Sequence, residues 1–147
     1  MIRDGIVTVT VDDQATRSLY GQRSAADNCT CRGCTRFATQ HDNAYPAPFR
    51  ALLGRLGIDA SLPNEVITYG GEDEPPVFVE GTYDFVGSVE PVESVDQLTR
   101  WPNVPGSFHY RFNRGWGMPT LREFADFEPI SHILFGWFPP VASVVSR

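Results

Sequence analysis

Apolar and polar residues alternate strictly near the start of the chain. Ile6-Val7-Thr8-Val9-Thr10-Val11 is β-branched throughout with a period of two. That pattern predicts a strand with Val7, Val9 and Val11 toward a core and Thr8 and Thr10 away from it. Asp12-Asp13-Gln14 ends it. Residues 14–28 are polar and weakly patterned, which reads as a loop with one further short strand near Leu19-Tyr20. The period then changes. A helix is expected from about Cys31 to His41, with Cys34, Phe37, Ala38 and His41 on one face. A second is expected from Ala47 to Leu56, where Phe49, Leu52, Leu53 and Leu56 follow the i, i+3, i+4, i+7 spacing of a buried stripe. Pro46 and Pro48 suit its first turn, and Gly57 suits the residue that closes a helix in the left-handed region. The short link Asn43-Ala44-Tyr45 predicts an αα-hairpin.

Strands and turns dominate the rest. Glu65 to Tyr69 reads as a short strand, and Glu72-Asp73-Glu74-Pro75-Pro76 as an exposed acidic loop. Val77-Phe78-Val79 and Tyr83 to Val89 read as two strands around a turn at Glu80-Gly81. Ser94 and Gln97 form a capping-box pattern, so Val95 to Trp101 is expected to be a short helix. Phe108-His109-Tyr110-Arg111-Phe112 alternates, with its aromatics inward and His109 and Arg111 outward. Thr120 to Phe127 fits helix and strand equally. Ile130 to Phe138 is a last strand, ended by Pro139-Pro140. Helices early and strands late predict an α+β fold. Its two-helix hairpin, near the N-terminal third, packs on a mostly antiparallel sheet in a single domain over residues 1–147.

Composition narrows the function classes. Hydrophobic residues are 41% and charged residues 20% of 147 positions, a globular balance rather than a disordered one. No apolar run approaches the ~20 residues of a membrane span, and the start of the chain lacks the apolar stretch of a signal peptide. A cytoplasmic protein with no membrane partner is the expectation. The net charge of −6 argues against nucleic acid, whose phosphates attract a basic surface. All twelve basic residues are Arg. The absence of Lys fits the codon bias of a GC-rich genome, and it excludes a Schiff-base or P-loop lysine.

The strongest chemical signal is Cys29-Thr30-Cys31-Arg32-Gly33-Cys34, which holds all three cysteines of the chain. Cys31 and Cys34 share a helical face, Cys29 lies just upstream, and a helix N-terminus favours thiolates. Cys29, Cys31 and Cys34 are therefore candidate metal ligands, with zinc the candidate ion. The fourth ligand is the weak point. His41 lies seven residues after Cys34, roughly 10 Å along an unbroken helix. His109, His132 or Asp27 would have to approach through the fold. Packing of three small residues without metal is an equal alternative. A thiol redox role for the Cys31/Cys34 pair is a further one, although no strand of a βαβ unit precedes it.

The other polar candidates have bland readings. His132, between Ile130 and Leu134, reads as a satisfied core histidine, and His109 as a solvated one. No Gly-x-Ser-x-Gly elbow is present. The segment Phe112-Asn113-Arg114-Gly115-Trp116-Gly117-Met118-Pro119 reads as a turn.

The stretch Cys29-x-Cys31-x-x-Cys34-x-x-Phe37, then Tyr45-Pro46, then Leu52-Leu53-x-x-Leu56-Gly57-Ile58-Asp59, resembles a group of short uncharacterised bacterial proteins. The likeness continues loosely through Gly81-x-Tyr83-x-x-Val86-Gly87 and covers about the middle half of the chain. Members commonly carry Asn before the Phe, where this chain has Arg36. The resemblance implies a bacterial source and a recurring cysteine site, and no mechanism. The residues together predict a non-enzymatic accessory protein that binds another protein, with the cysteine cluster as a structural element. The competing expectation is a thiol enzyme or sensor. Neither names the partner or the oligomeric state.

Overall fold

The computed structural model describes residues 1–5, 7–22, 32–70, 77–90, 102, 104–113 and 130–139. Within them the order is β1 (Ile2–Asp4), β2 (Val7–Val11), α1 (Asp13–Gly21), α2 (Arg32–Ala44), α3 (Ala47–Leu56), β3 (Glu65–Tyr69), β4 (Phe78–Glu90), β5 (Phe108–Asn113) and β6 (Ile130–Trp137). The fold is α+β, and every strand pair is antiparallel.

The sheet is organised on β4. Its order is β1-β2-β4-β6-β5, with β3 also on β4. β6 runs along residues 79–86 of β4. On the opposite margin, β3 takes residues 78–82 and β2 takes residues 87–90. The two outermost strands of the main order also meet, because Tyr110 Oη on β5 donates to Asp4 Oδ1 on β1 at 3.1 Å. The sheet therefore curls, with one face inward.

That inner face and the helices form the core. It holds Val79, Tyr83, Phe85 and Val89 from β4, Ile133, Phe135 and Trp137 from β6, and Phe37, Tyr45, Phe49, Leu53 and Leu56 from α2, α3 and their link. Tyr83 donates to the Ala60 carbonyl at 2.7 Å, so Tyr45 donates to Tyr83 across 2.6 Å. Burial pushes the ionisation of both phenols well above the ordinary tyrosine range.

Several expectations match the structure closely. α3 has the expected bounds, and Gly57 closes it at φ +82°. Space as well as φ requires glycine there: a Cβ would lie 2.4 Å from the Asp13 carbonyl oxygen of α1. α2 and α3 are adjacent, joined through Tyr45 and Pro46. α2 lies against β3 and α3 against α1, so their adjacency does not itself establish a hairpin.

Two expectations are corrected. Residues 13–21 form a helix, where a loop and a short strand were expected. The Asp12 side chain caps it by accepting from the Ala15 amide at 3.0 Å. Thr16, Leu19 and Tyr20 form its buried stripe. The second correction concerns Glu80-Gly81, which lies inside one continuous 13-residue strand. Gly81 pairs with Phe135, and a Cβ at Gly81 would lie 2.4 Å from the Glu65 carbonyl oxygen of β3 and 2.6 Å from that ring. The glycine makes room for an aromatic side chain rather than a turn. The helix expected over 95–101 and the segments 112–119 and 120–127 lie wholly or mostly outside the described residues.

Candidate functional site

Between the ends of β2 and β3, one margin of β4 has no strand beside it among the described residues. Its backbone groups are instead bonded by α1 and the turn before β3. Tyr20 Oη donates to the Asp84 carbonyl at 2.8 Å. Thr16 Oγ1 accepts from the Val86 amide at 3.0 Å while donating to the Asp12 carbonyl at 2.8 Å. The Asp12 amide donates to the Val86 carbonyl, and the Asn64 amide to the Thr82 carbonyl. A buried peptide group left unpaired would be costly, so α1 stands in for a missing strand.

This clamp holds Asp84 in place on the outer face of β4. Side chains alternate along a strand, so Phe78, Glu80, Thr82 and Asp84 share that face with Leu134 and His132 of β6. Asp84 and His132 are direct cross-strand partners, and both are 0% exposed. Asp84 Oδ1 meets His132 Nδ1 at 2.6 Å and accepts from Asn64 Nδ2 at 3.2 Å. A carboxylate only accepts, so Nδ1 donates to Asp84. Nε2 and Thr82 Oγ1 are buried with no hydrogen-bond partner. An orphan of this kind costs about 1–3 kcal/mol. His132 is thus buried as expected but satisfied at one nitrogen only, which corrects the reading of a fully satisfied core histidine.

The same face changes character toward the start of β4. Tyr69 stacks on Phe78 at 5.5 Å between centroids, and Phe78 stacks on Phe138 at 4.5 Å. His109 meets Phe138 edge-on at 6.4 Å and bonds Ser107 Oγ at 3.0 Å. Around this stack Ile67 is 39%, Tyr69 44% and Val77 67% exposed. Tyr69 Oη donates to Glu80 Oε1 at 2.7 Å, and this bond, with some burial, pushes its ionisation up to about 12. Among the described residues, β3, which carries Ile67 and Tyr69, pairs with β4 alone.

The sequence-derived candidates fall elsewhere. Cys29 and Cys31 lie outside the described residues. Cys34 is in the first turn of α2, and its side chain is outside them too. α2 runs unbroken past His41, whose ring stacks on Phe37 at 4.9 Å with Nδ1 at 2.9 Å from the Phe37 carbonyl. His41 is thus engaged in the core, about two turns from Cys34. Among the described residues no three His, Cys, Asp or Glu side chains are grouped to hold a metal ion. No helix among them is long and apolar enough to cross a membrane.

Sequence reasoning passed over Asp84, Thr82 and the exposed aromatics. A signal existed for Asp84: it is a lone carboxylate in the apolar run Tyr83-Asp84-Phe85-Val86, as His132 is a lone imidazole in Ile130-Ser131-His132-Ile133-Leu134. Their pairing is a matter of register. No protein-family model, curated protein or solved structure matches the chain.

Proposed function

We propose that the protein acts by binding another protein, along β3 and the aromatic stack beside it. The observation that carries this reading is the stack of Tyr69, Phe78 and Phe138 with exposed Ile67 on the same side of β3 as Tyr69 and exposed Val77 next to Phe78 in the chain. Single exposed apolar residues are ordinary, whereas a contiguous group on a one-sided strand is what an extended partner segment recognises. Main-chain bonds to β3 supply affinity in that mode, and alternate side chains supply specificity. Glu65 and Glu80 flank the stack, and the chain carries a net charge of −6. The fitting occupant is an extended segment with apolar and basic residues in alternation.

Cys29, Cys31 and Cys34 belong to this reading as a structural cluster, with zinc the candidate ion. Elemental analysis of freshly purified protein tests that part separately.

The binding test compares the wild type with the Ile67→Ser/Tyr69→Ser/Val77→Ser variant as baits in a lysate of the source organism. A partner held by the wild type and lost by the variant is expected, and its complex should protect β3 amides from hydrogen exchange. Equal capture by both baits, or protection confined to other elements, overturns the proposal.

A further inference from the structure

Tyr69 of β3, Phe78 of β4 and Phe138, the residue after β6, form one row of rings across three adjacent strands. Phe138 is both the last ring of that row and the place where the chain leaves β6. Its backbone is fixed there. The Phe138 amide donates to the Ser107 carbonyl at 3.0 Å, and its carbonyl accepts from the Gly106 amide at 2.6 Å. The chain that follows therefore starts beside the exposed aromatic surface.

That chain is Pro139-Pro140-Val141-Ala142-Ser143-Val144-Val145-Ser146-Arg147, of which residues 140–147 lie outside the described residues. The two prolines lack amide donors, so the pairing of β6 stops at them. Beyond them come three Val, one Arg and no acidic residue. This is the composition that the surface on β3 suits: β-branched residues for a strand, and a cation for Glu65 and Glu80.

Length and direction fit as well. The margin of β3 away from β4 has no strand beside it among the described residues. From β6 across β4 and β3 to that margin is three strand spacings, about 14 Å. Residues 139–143 span about 16 Å when extended, which brings Ser143 beside Tyr69. β3 and β6 both run antiparallel to β4. A chain that turns back after β6 is thus antiparallel to β3. In that direction Val145 falls beside Ile67 and Arg147 beside Glu65. Tyr69, Ile67 and Glu65 share the outer side of β3, as Ser143, Val145 and Arg147 share one side of an extended chain. The register that length selects sets an apolar residue against exposed Ile67 and a cation against exposed Glu65. A second copy of the chain is the poorer occupant. Pairing β3 with β3 would bring Glu65 and Glu80 of two molecules, each of net charge −6, to one seam.

We propose that residues 141–147 form an autoinhibitory strap, pairing antiparallel with the free margin of β3 until the protein partner displaces them. This inference rests on the reading of β3 as the docking surface and names what holds that surface in the partner's absence.

Two variants of the full chain test it. Val145→Ser/Arg147→Glu alters the strap, and Ile67→Ser/Tyr69→Ser/Val77→Ser alters the surface. The probe is a fluorescent peptide with the sequence of residues 139–147. Tethering gives a strap an effective concentration on the order of millimolar. The probe should therefore bind the strap variant about tenfold more tightly than the wild type, and it should not bind the surface variant. Amides of β3 should exchange about tenfold faster in the strap variant than in the wild type, at every protein concentration. Equal probe affinity for wild type and strap variant, or equal exchange of β3 in both, overturns the proposal. Protection of β3 that rises with protein concentration assigns the face to a second copy and overturns it too. These readouts use no partner, so the strap can fail while partner capture by β3 stands, and capture can fail while the strap holds.

Discussion

The outer face of β4 passes from solvent to interior within a few residues. At its start, Phe78 lies in a stack with Tyr69 and Phe138 beside exposed Val77. Further along, Thr82 and Asp84 are buried with Leu134 and His132. The exposed end is aromatic and the buried end is polar, the reverse of the usual partition. Each end departs from what stability alone favours. An apolar pair of similar volume would do as well as Asp84–His132 in holding β4 to β6. A polar surface would serve better than Ile67 and Val77 where no partner binds. The two ends thus present different chemistry: aromatic surface reaching solvent at one, a buried carboxylate–imidazole pair at the other.

Substitution should separate the two ends sharply. Asp84→Ala removes one member of the buried pair and leaves His132 Nδ1 without its acceptor. A loss of about 3–5 kcal/mol in denaturant unfolding is expected. A loss below 1 kcal/mol would show that the pair is not sealed from water.

The inner face provides the reference for a purely apolar site. Leu53 is buried beneath α3. Leu53→Ala should cost about 2–5 kcal/mol, depending on how far the core collapses. It should also leave the ring-nitrogen resonances of His132 in place. A shift there would mean that the two faces are coupled through the sheet.

Gly81→Ala probes the contact between β4 and β6 from the inner side. The added methyl must displace both the Glu65 carbonyl oxygen of β3 and the Phe135 ring, so a cost of about 1–3 kcal/mol is expected. A double variant with Phe135→Leu should recover part of that loss. Additive destabilisation in the pair would indicate that the Glu65 carbonyl rather than the ring sets the cost.

The smallest effect on stability is expected at the exposed end. Tyr69→Ser removes one stacked ring and the bond to Glu80 at a largely exposed position. Unfolding free energy should change by about 0.5 kcal/mol or less. A loss comparable with Asp84→Ala would make the stack a piece of core and remove the basis for a docking surface.

Periodicity exposed the local elements. The Phe49, Leu52, Leu53, Leu56 stripe with Gly57 behind it defined α3 to the residue, and alternation placed Phe108, Tyr110 and Phe112 on the inner face. Short polar segments were less legible. In residues 13–21 three buried positions, Thr16, Leu19 and Tyr20, sit among polar neighbours, too sparse a stripe to stand out. Gly81 misled because the glycine that makes a turn and the glycine that admits a ring look the same in one dimension.

The chain's own order of residues determined the α+β class, α3, the positions of β2, β3, β5 and β6, and the acidic charge, because these depend on neighbours a few positions apart. The tertiary structure alone decided that Asp84 meets His132, that Thr16 and Tyr20 replace a strand beside β4, and that Tyr69 stacks on Phe78. Those contacts join positions that only strand register and sheet curl bring together. A shift of one residue in register would turn every one of those side chains to the other face.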